Sequence, residues 1–321
     1  MTNWLVEFST SHKLINKFYF LINLANHDEW KNKSMGVDFI ADYKMTSLGQ
    51  KEIKRFVKIL KNVPYWDIEK IFYQSANEKI AINKLKDYLD KKEIIELQKV
   101  FDFFEKDFTG LFHQIDKKYS KELMILWPSP KYKNILKKIF YLFGNKSIHK
   151  DIKIKLVFNN GFNGFFKGRA YDNVIAIEIA DFKDRFDLLE NVIFVLLHEI
   201  VHILISNNQF IKFTINKLNI LLNLTDQFKK YKIDVNNIVE ETLIRVFVPK
   251  GYFWDSSKDR FLNNKKITWK DVIDSKQIHP HCLSMALYQS LYQDIKYYVT
   301  KNKSIDEKFL NKMIKTIKRE I

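Results

Sequence analysis

The sequence has one cysteine, Cys282, among its 321 residues. A single thiol cannot form an internal disulfide, and it cannot supply the paired cysteines of a Cys-rich zinc module. The cysteine content is therefore compatible with a reducing compartment. If the chain binds a transition metal, the ligands have to come from histidine and carboxylate side chains.

Long apolar runs are missing too. A membrane-spanning helix needs roughly 20 apolar residues, and the best candidate, VIFVLLHEIVHILI at 192–205, carries ionisable side chains at its middle. Near the N-terminus, the apolar patch FYFLINLA is short and lacks a small-residue cleavage site, so we expect no signal peptide. These absences predict a soluble, cytoplasmic protein without a membrane span.

Acidic residues are in deficit: 38 Asp and Glu stand against 54 Lys and Arg, which gives a formal net charge of +16. Such an excess can mark a nucleic-acid or anionic-membrane partner. Here the lysines are scattered along the whole chain beside Asn and Ile, without an arginine-rich cluster or an RNA-binding signature. This Lys/Asn/Ile-rich composition, poor in glycine and proline, is typical of codon bias. We therefore do not expect nucleic-acid binding.

Helical spacing of apolar residues dominates the first 150 positions, as in residues 92–115, where charges occupy the opposite face. This pattern predicts a helical N-terminal region, 1–150, whose role the sequence does not indicate. The WPSP stretch at 127–130 is expected to end one helix before the next begins. The helical spacing predicts core packing, and not ligand binding, for an aromatic stripe made of Phe101, Phe103, Phe104, Phe108 and Phe112.

The pattern changes after His149. DIKIKLVF alternates as a strand does, NNGFNGFFKG is typical of a loop or hairpin, and YDNVIAIEIA is a second β-rich run before the apolar stretch at 192–205. The order is strand, loop, strand, helix. The chain is thus predicted to be α+β and mostly helical, with a small sheet in a second domain at 151–321.

The sequence HEIVH places His198 and His202 four residues apart, so on a helix both imidazoles lie on one face and can reach one ion. Glu199 lies beside them and can hold a metal-bound water without being a ligand itself. The alternative is a metal-free core in which hydrogen bonds and an ion pair satisfy the same three side chains. Burying three ionisable groups in so apolar a helix is costly, so we favour the metal.

With this motif, the sequence resembles the zincin metallopeptidases, and among them the gluzincins, whose third zinc ligand is a glutamate on a later helix. The resemblance covers about 153–250 and rests on HEIVH, GRAYDNVIAIEI and NNIVEETLIRVFVP. It implies a zincin-like metallopeptidase domain at 151–321 that binds Zn²⁺ and cleaves a peptide or protein substrate. It also implies that Val174–Ile179 is an edge strand that aligns an extended peptide. The metzincin branch is excluded, because it requires Gly and His where this chain has Ile205 and Asn208.

The third ligand is expected in a helix at Val235–Pro249, where Glu240 and Glu241 are neighbours. Only one of them can face the metal, because adjacent residues diverge by about 100° around a helix. We favour Glu241, since Thr242 after it is small and allows close helix approach, and we expect Glu240 to be an outer partner or a surface charge. An Asp ligand from Asp226 or Asp234 stays an alternative.

Arg245, one turn beyond Glu241, is expected to orient that carboxylate, to hold a substrate carboxylate, or to be a plain surface arginine. The resemblance also implies an oxyanion-stabilising residue downstream, for which His279, His281, Tyr288 and Tyr292 are candidates. Exposed loop histidines are the more common explanation for the first two.

These patterns predict that Glu199 acts as general base in amide hydrolysis at zinc. Two other readings stay open. In one, a zincin-fold domain serves as a regulatory or toxin-like protein whose basic helical part binds another macromolecule. In the other, the motif arose by chance in a helical binding protein that is not an enzyme.

Overall fold

The computed structural model describes residues 6–8, 12–31, 35, 43–127, 129–144, 151–158, 167–179, 186–223, 238–248, 251–253 and 280–320. Within these ranges the helices are α1 His12–Ala25, α2 Asp28–Lys31, α3 Ser47–Leu60, α4 Tyr65–Gln74, α5 Glu78–Lys84, α6 Lys91–Leu126, α7 Pro130–Phe143, α8 Phe186–Asn207, α9 Gln209–Asn223, α10 Ile238–Arg245, α11 Pro280–Thr300 and α12 Glu307–Glu320. The strands are β1 Val6–Phe8, β2 Ile152–Phe158, β3 Gly168–Tyr171 and β4 Val174–Ile179.

This architecture confirms the prediction of an α+β fold that is mostly helical. The WPSP stretch separates two helices as expected: α6 ends at Leu126, and α7 begins at Pro130, where the missing N–H of proline is tolerated. The region 1–150, predicted to be helical, also contains a strand. β1 is a strand, and it pairs with β2, more than 140 residues later in the chain. Because its partner is so distant in the chain, the three-residue sequence of β1 carries no local pattern that predicts a strand.

The described strands form one mixed sheet in the order β1-β2-β4-β3. β1 and β4 both pair with β2 in parallel, and β3 pairs with β4 in an antiparallel hairpin that turns at Asp172. β4 is therefore hydrogen-bonded on both sides, and all its residues are buried. The expectation that Val174–Ile179 is an edge strand for substrate is wrong, because its main-chain groups already pair with β2 and β3. In the described sheet the edges are β1 and β3.

The chain divides into two compact units. The first, which we call the sheet unit, comprises 3–127 and 150–193, and the second, the helical unit, comprises 1–2, 128–149 and 194–321. The division differs from the boundary expected at residue 150, because the sheet strands group with α1–α6 and because α7 groups with the C-terminal helices. β1 and β2 share hydrogen bonds across that expected boundary.

The core of the sheet unit is aromatic. Phe18 stacks on Phe72 with ring centroids 4.6 Å apart, and Phe72 stacks on Phe101 at 5.5 Å. The predicted core positions on α6 are buried at Phe101, Phe104, Phe108 and Phe112. Phe103 is 41% exposed, because its place next to Phe104 turns it to another face of the helix. The stripe is therefore confirmed as core packing except at Phe103.

In the helical unit, the segment after α10 is anchored by Phe247. This side chain is fully buried, and its ring lies 5.3 Å from that of Phe143 and 6.2 Å from that of Phe309. The chain then turns at Gly251, where a Cβ atom would lie 2.2 Å from the carbonyl oxygen of Val246. Only glycine fits so close an approach. The buried ring of Phe247 and the absence of a side chain at Gly251 thus allow residues 251–253 to pack against residues 246 and 247.

One helical stretch among the described residues, Leu189–Asn207 in α8, is long and apolar enough to cross a membrane by length and composition. Most of it is buried inside the structure, as in the core helix of a soluble protein.

Candidate metal centre

Helix α8 presents both histidines of HEIVH on one face. Their spacing of four residues brings the imidazole rings of His198 and His202 to a centroid distance of 4.8 Å with an interplanar angle of 75°. The apolar neighbours on α8, such as Ile200 and Val201, are fully buried and fix the helix in the core. The two Nε2 atoms lie 3.2 Å apart. Two ring nitrogens therefore converge on one point.

Helix α10 brings the carboxylate of Glu241 to that point. Its Oε1 lies 3.0 Å from Nε2 of His202, and its Oε2 lies 3.5 Å from Nε2 of His198. Ligand atoms held tetrahedrally at about 2.0–2.2 Å from one zinc ion are themselves about 3.3–3.6 Å apart. The observed separations lie near this range, and two imidazoles with one carboxylate are a common zinc donor set. The group His198, His202 and Glu241 can therefore hold a metal ion.

The outward-facing nitrogens of both rings have acceptors. Nδ1 of His198 lies 3.2 Å from the carbonyl oxygen of Val248, and Nδ1 of His202 lies 2.7 Å from Oε1 of Glu240. A carbonyl or carboxylate oxygen only accepts, so we assign a proton to each Nδ1. In the neutral rings this leaves both Nε2 lone pairs directed at Glu241. Fixing the tautomer in this way is what the outer partners of metal-bound histidines do.

The Nε2 atoms of His198 and His202 and the carboxylate of Glu241 repel one another when both rings are neutral. A proton on His202 offsets this repulsion. Burial lowers the pKa of His202, but hydrogen bonds to Glu240 and Glu241 outweigh burial and raise it to about 10. Burial raises the pKa of Glu241, but its hydrogen bonds with His198 and His202 outweigh burial and hold that pKa well below the usual range. The site thus favours a positive charge at its centre. A divalent cation carries two positive charges there, whereas a proton carries one.

No protein-family model matches the chain, and no curated protein or solved structure is significantly similar to it. The function of the centre has to be argued from its own geometry.

Glu199 follows His198 on α8 and is 7% exposed. It is not one of the three converging ligand groups, but its charge contributes to the raised pKa of His202, so it lies in the electrostatic field of the centre. A buried carboxylate beside a metal position, but outside the ligand set, can accept a proton from water.

The neighbouring carboxylates of α10 have separate surroundings. Glu241 faces both Nε2 atoms, whereas Glu240 contacts only the outer side of His202. Arg245, one turn along α10, donates from Nε to Oε2 of Glu241 at 3.1 Å. The helix is shorter than the predicted Val235–Pro249, because α10 ends at Arg245 and the chain continues as a turn through Val248.

The remaining predicted residues are not brought to the centre by any described contact. His279, Asp226 and Asp234 lie outside the described residues, and His281 belongs to α11 but its side chain is outside them as well. Tyr288 on α11 is 4% exposed, and its ring meets that of Tyr292 at 5.6 Å. The role of these residues as oxyanion stabilisers stays a prediction.

Sequence reasoning missed two contributors to the centre. The carbonyl of Val248 leaves no trace in a side-chain pattern. Gly251 allows the close approach to Val246, and its place shortly after an apolar helix and Pro249 was a signal for a turn.

A second buried carboxylate, Glu69 on α4, lies in the sheet unit and was not predicted as notable. Its Oε1 accepts from the hydroxyls of Tyr19 and Tyr65 at 2.8 and 2.9 Å. Its Oε2 accepts from Tyr171 at 2.7 Å and from Arg169 at 3.1 Å. We call these five residues the Glu69 cluster. Its members come from α1, α4 and β3, so no local sequence motif predicts the cluster.

Proposed function

We propose that the chain is a zinc-dependent metallopeptidase whose ligands are His198, His202 and Glu241. One observation carries the proposal: the Nε2 atoms of two histidines on α8 lie 3.2 Å apart, the carboxylate of Glu241 on α10 faces both of them, and each ring is held from behind by an acceptor on its Nδ1. Three protein ligands of this kind leave one position open, which is typical of catalytic zinc and not of structural zinc.

When bound, zinc supplies Lewis acidity and lowers the pKa of a water at the open position. The carboxylate of Glu199 would take the proton of that water and pass it to the leaving amine of the peptide. Burial of Glu199 limits its contact with bulk water, and the effect of its charge on the pKa of His202 supports a place near the centre. Glu240 would hold His202 in the tautomer that offers Nε2.

Metal analysis is the first test. Purified protein is expected to contain about one zinc per chain after dialysis, and a mixed peptide library is expected to be cleaved. A folded protein that binds no metal would contradict both the peptidase and any other zincin-like role. One zinc per chain without cleavage of any peptide would instead favour a regulatory or toxin-like protein that uses the same centre.

Glu199→Gln tests the base. Glutamine has nearly the same shape and cannot accept the proton, so zinc content and fold should be retained while hydrolysis falls by about 10²-fold or more. Lys212→Gln, a change of an exposed residue on α9, is a suitable control and should leave hydrolysis unchanged. Activity of Glu199→Gln within a few-fold of the parent would remove Glu199 from this role.

A further inference from the structure

Arg245 contacts the proposed ligand on the side away from His202. The guanidinium Nε donates to Oε2 of Glu241 at 3.1 Å, while Oε1 of the same carboxylate lies 3.0 Å from Nε2 of His202. The two carboxylate oxygens therefore have different partners. Oε1 faces Nε2 of His202, whereas Oε2 lies 3.5 Å from Nε2 of His198 and also accepts from the Arg245 cation.

We propose that Arg245 is a positioning residue that makes Glu241 a ligand through Oε1 alone. This inference rests on the proposed metal centre. Without Arg245, Oε2 is free to join the metal as well, since it already lies 3.5 Å from Nε2 of His198. A carboxylate that binds through both oxygens would occupy the position that the attacking water needs.

The surroundings of Glu241 make such a restraint necessary. Its side chain is 25% exposed, so water reaches the carboxylate and competes for its oxygens. It stands on a helix of eight residues, and a glutamate has several rotamers to choose from. From outside the ligand set, Arg245 holds this carboxylate through a hydrogen bond of 3.1 Å to Oε2.

Arginine suits the task better than lysine. Its guanidinium is planar and keeps its charge, and Nε donates in a fixed direction, whereas the lysine ammonium is a flexible point charge. The spacing of four residues on α10 lets the pair form within one helix, so the restraint does not depend on any other element. Arg245 touches neither the reacting atoms nor the metal position in the described contacts, and it acts through Glu241.

Cobalt(II) is the probe, because its visible absorption is stronger when it is four-coordinate than when it has more ligands. The intact protein is titrated with Co²⁺ as parent, Arg245→Met and Arg245→Lys. For Arg245→Met we expect affinity about 10–100-fold weaker, as is typical when an outer partner is lost, and a weaker absorption band because Oε2 joins the metal. Arg245→Lys should lie between the two in both measurements.

Arg55→Met is the matched control. Arg55 forms the same kind of helical pair with Glu52 on α3, at 3.0 Å, in the sheet unit. This variant should leave both the Co²⁺ affinity and the spectrum of the parent unchanged.

Two outcomes would overturn the role of Arg245. One is a parent-like affinity and spectrum in Arg245→Met. The other is weaker affinity with an unchanged spectrum, which would mean that only charge was lost. If Arg245→Met does not fold, Arg245→Lys decides, and a parent-like result in both measurements overturns the inference. A parent protein that binds no Co²⁺ would instead contradict the metal centre itself.

Discussion

Two carboxylates, the buried Glu69 in the sheet unit and the half-buried Glu241 in the helical unit, differ in what faces them. Glu69 is fully buried, and its two oxygens accept four hydrogen bonds from three hydroxyls and one guanidinium. A carboxylate offers about four lone-pair sites, so none remains. Glu241 faces two imidazole nitrogens, and each of the two rings has another acceptor at its Nδ1.

The difference separates a structural cluster from a candidate metal site. In the Glu69 cluster the guanidinium of Arg169 and the tyrosine hydroxyls neutralise and hydrogen-bond the carboxylate, so no ligand is required. These contacts join α1, α4 and β3. At Glu241 two imidazole nitrogens and a carboxylate converge, which is the arrangement that in our proposal holds a metal ion. Buried charge alone does not mark a functional site; the informative feature is the kind of partner that is missing.

The largest effect is expected when one of the proposed metal ligands is removed. His202→Ala, His198→Ala or Glu241→Ala should abolish stoichiometric zinc binding, because two ligands cannot form the three-ligand site. Since a metal that binds the native state adds to its stability, a chelator should lower the Tm of the parent and leave that of the variants unchanged. Calorimetry with and without chelator measures this. A variant that still binds one zinc as tightly as the parent would show that the helices present other ligands.

Removing the carboxylate of Glu69 should lower the free energy of unfolding and leave metal binding unchanged. Glu69→Ala removes the carboxylate to which Arg169 and three hydroxyls donate, and breaking a buried ion pair costs about 3–5 kcal/mol in the free energy of unfolding. Denaturant unfolding measures the loss, and Co²⁺ titration of the folded variant should give parent-like affinity. Loss of metal binding at parent-like stability would mean that the two carboxylates have been assigned opposite roles.

The two glutamates of α10 offer a finer test. Glu240→Ala frees Nδ1 of His202 but removes no ligand, so zinc affinity should fall by about 10–100-fold and not be abolished. The measurement is competition with a chelator of known affinity, beside Glu241→Ala. If Glu240→Ala has the larger effect, the third ligand is Glu240. If neither variant changes affinity, the metal is held by another architecture, such as one with an aspartate.

The smallest expected effect is a change of pH dependence in the Glu69 cluster. Burial, and then the charge of Glu69, raise the pKa of Tyr171 above its ordinary value of 10.0. Above about pH 10 the unfolded chain therefore loses this proton while the folded chain keeps it, so stability falls as pH rises. Tyr171→Phe should make this fall shallower by up to about 1.4 kcal/mol per pH unit. Unfolding free energies measured between pH 9 and 11 check it, and an unchanged slope would contradict the raised pKa.

Local patterns explain what could be predicted. HEIVH and the apolar stretch around it lie within one helix, so spacing alone put His198 and His202 on one face. The prediction of a later helix with Glu240 and Glu241 rested on the same periodicity. Which of the two faces the centre depends on how α10 packs, and the structure places Glu241 between both Nε2 atoms. Its role as a ligand stays a prediction until metal is measured.

Long-range pairing explains what could not be predicted. β4 was expected at an edge because its own sequence is strand-like, but its neighbours β2 and β3 decide its place. β1 has only three residues, and it is a strand because it forms a parallel pair with β2. The Glu69 cluster gathers residues as far apart as Tyr19 and Tyr171, so its existence depends on the tertiary fold.

The short segment from Glu240 to Val248 has a consequence for how the protein responds to depletion of metal. It supplies the carboxylate ligand, the acceptor behind His202, the arginine on Glu241 and the acceptor behind His198. A helix of eight residues is marginal by itself. If this segment opens locally, the centre loses all four contributions at once while α8 keeps its histidines, so metal occupancy and the order of α10 should rise and fall together. Amide hydrogen exchange in this stretch would then report the metal supply that the protein experiences.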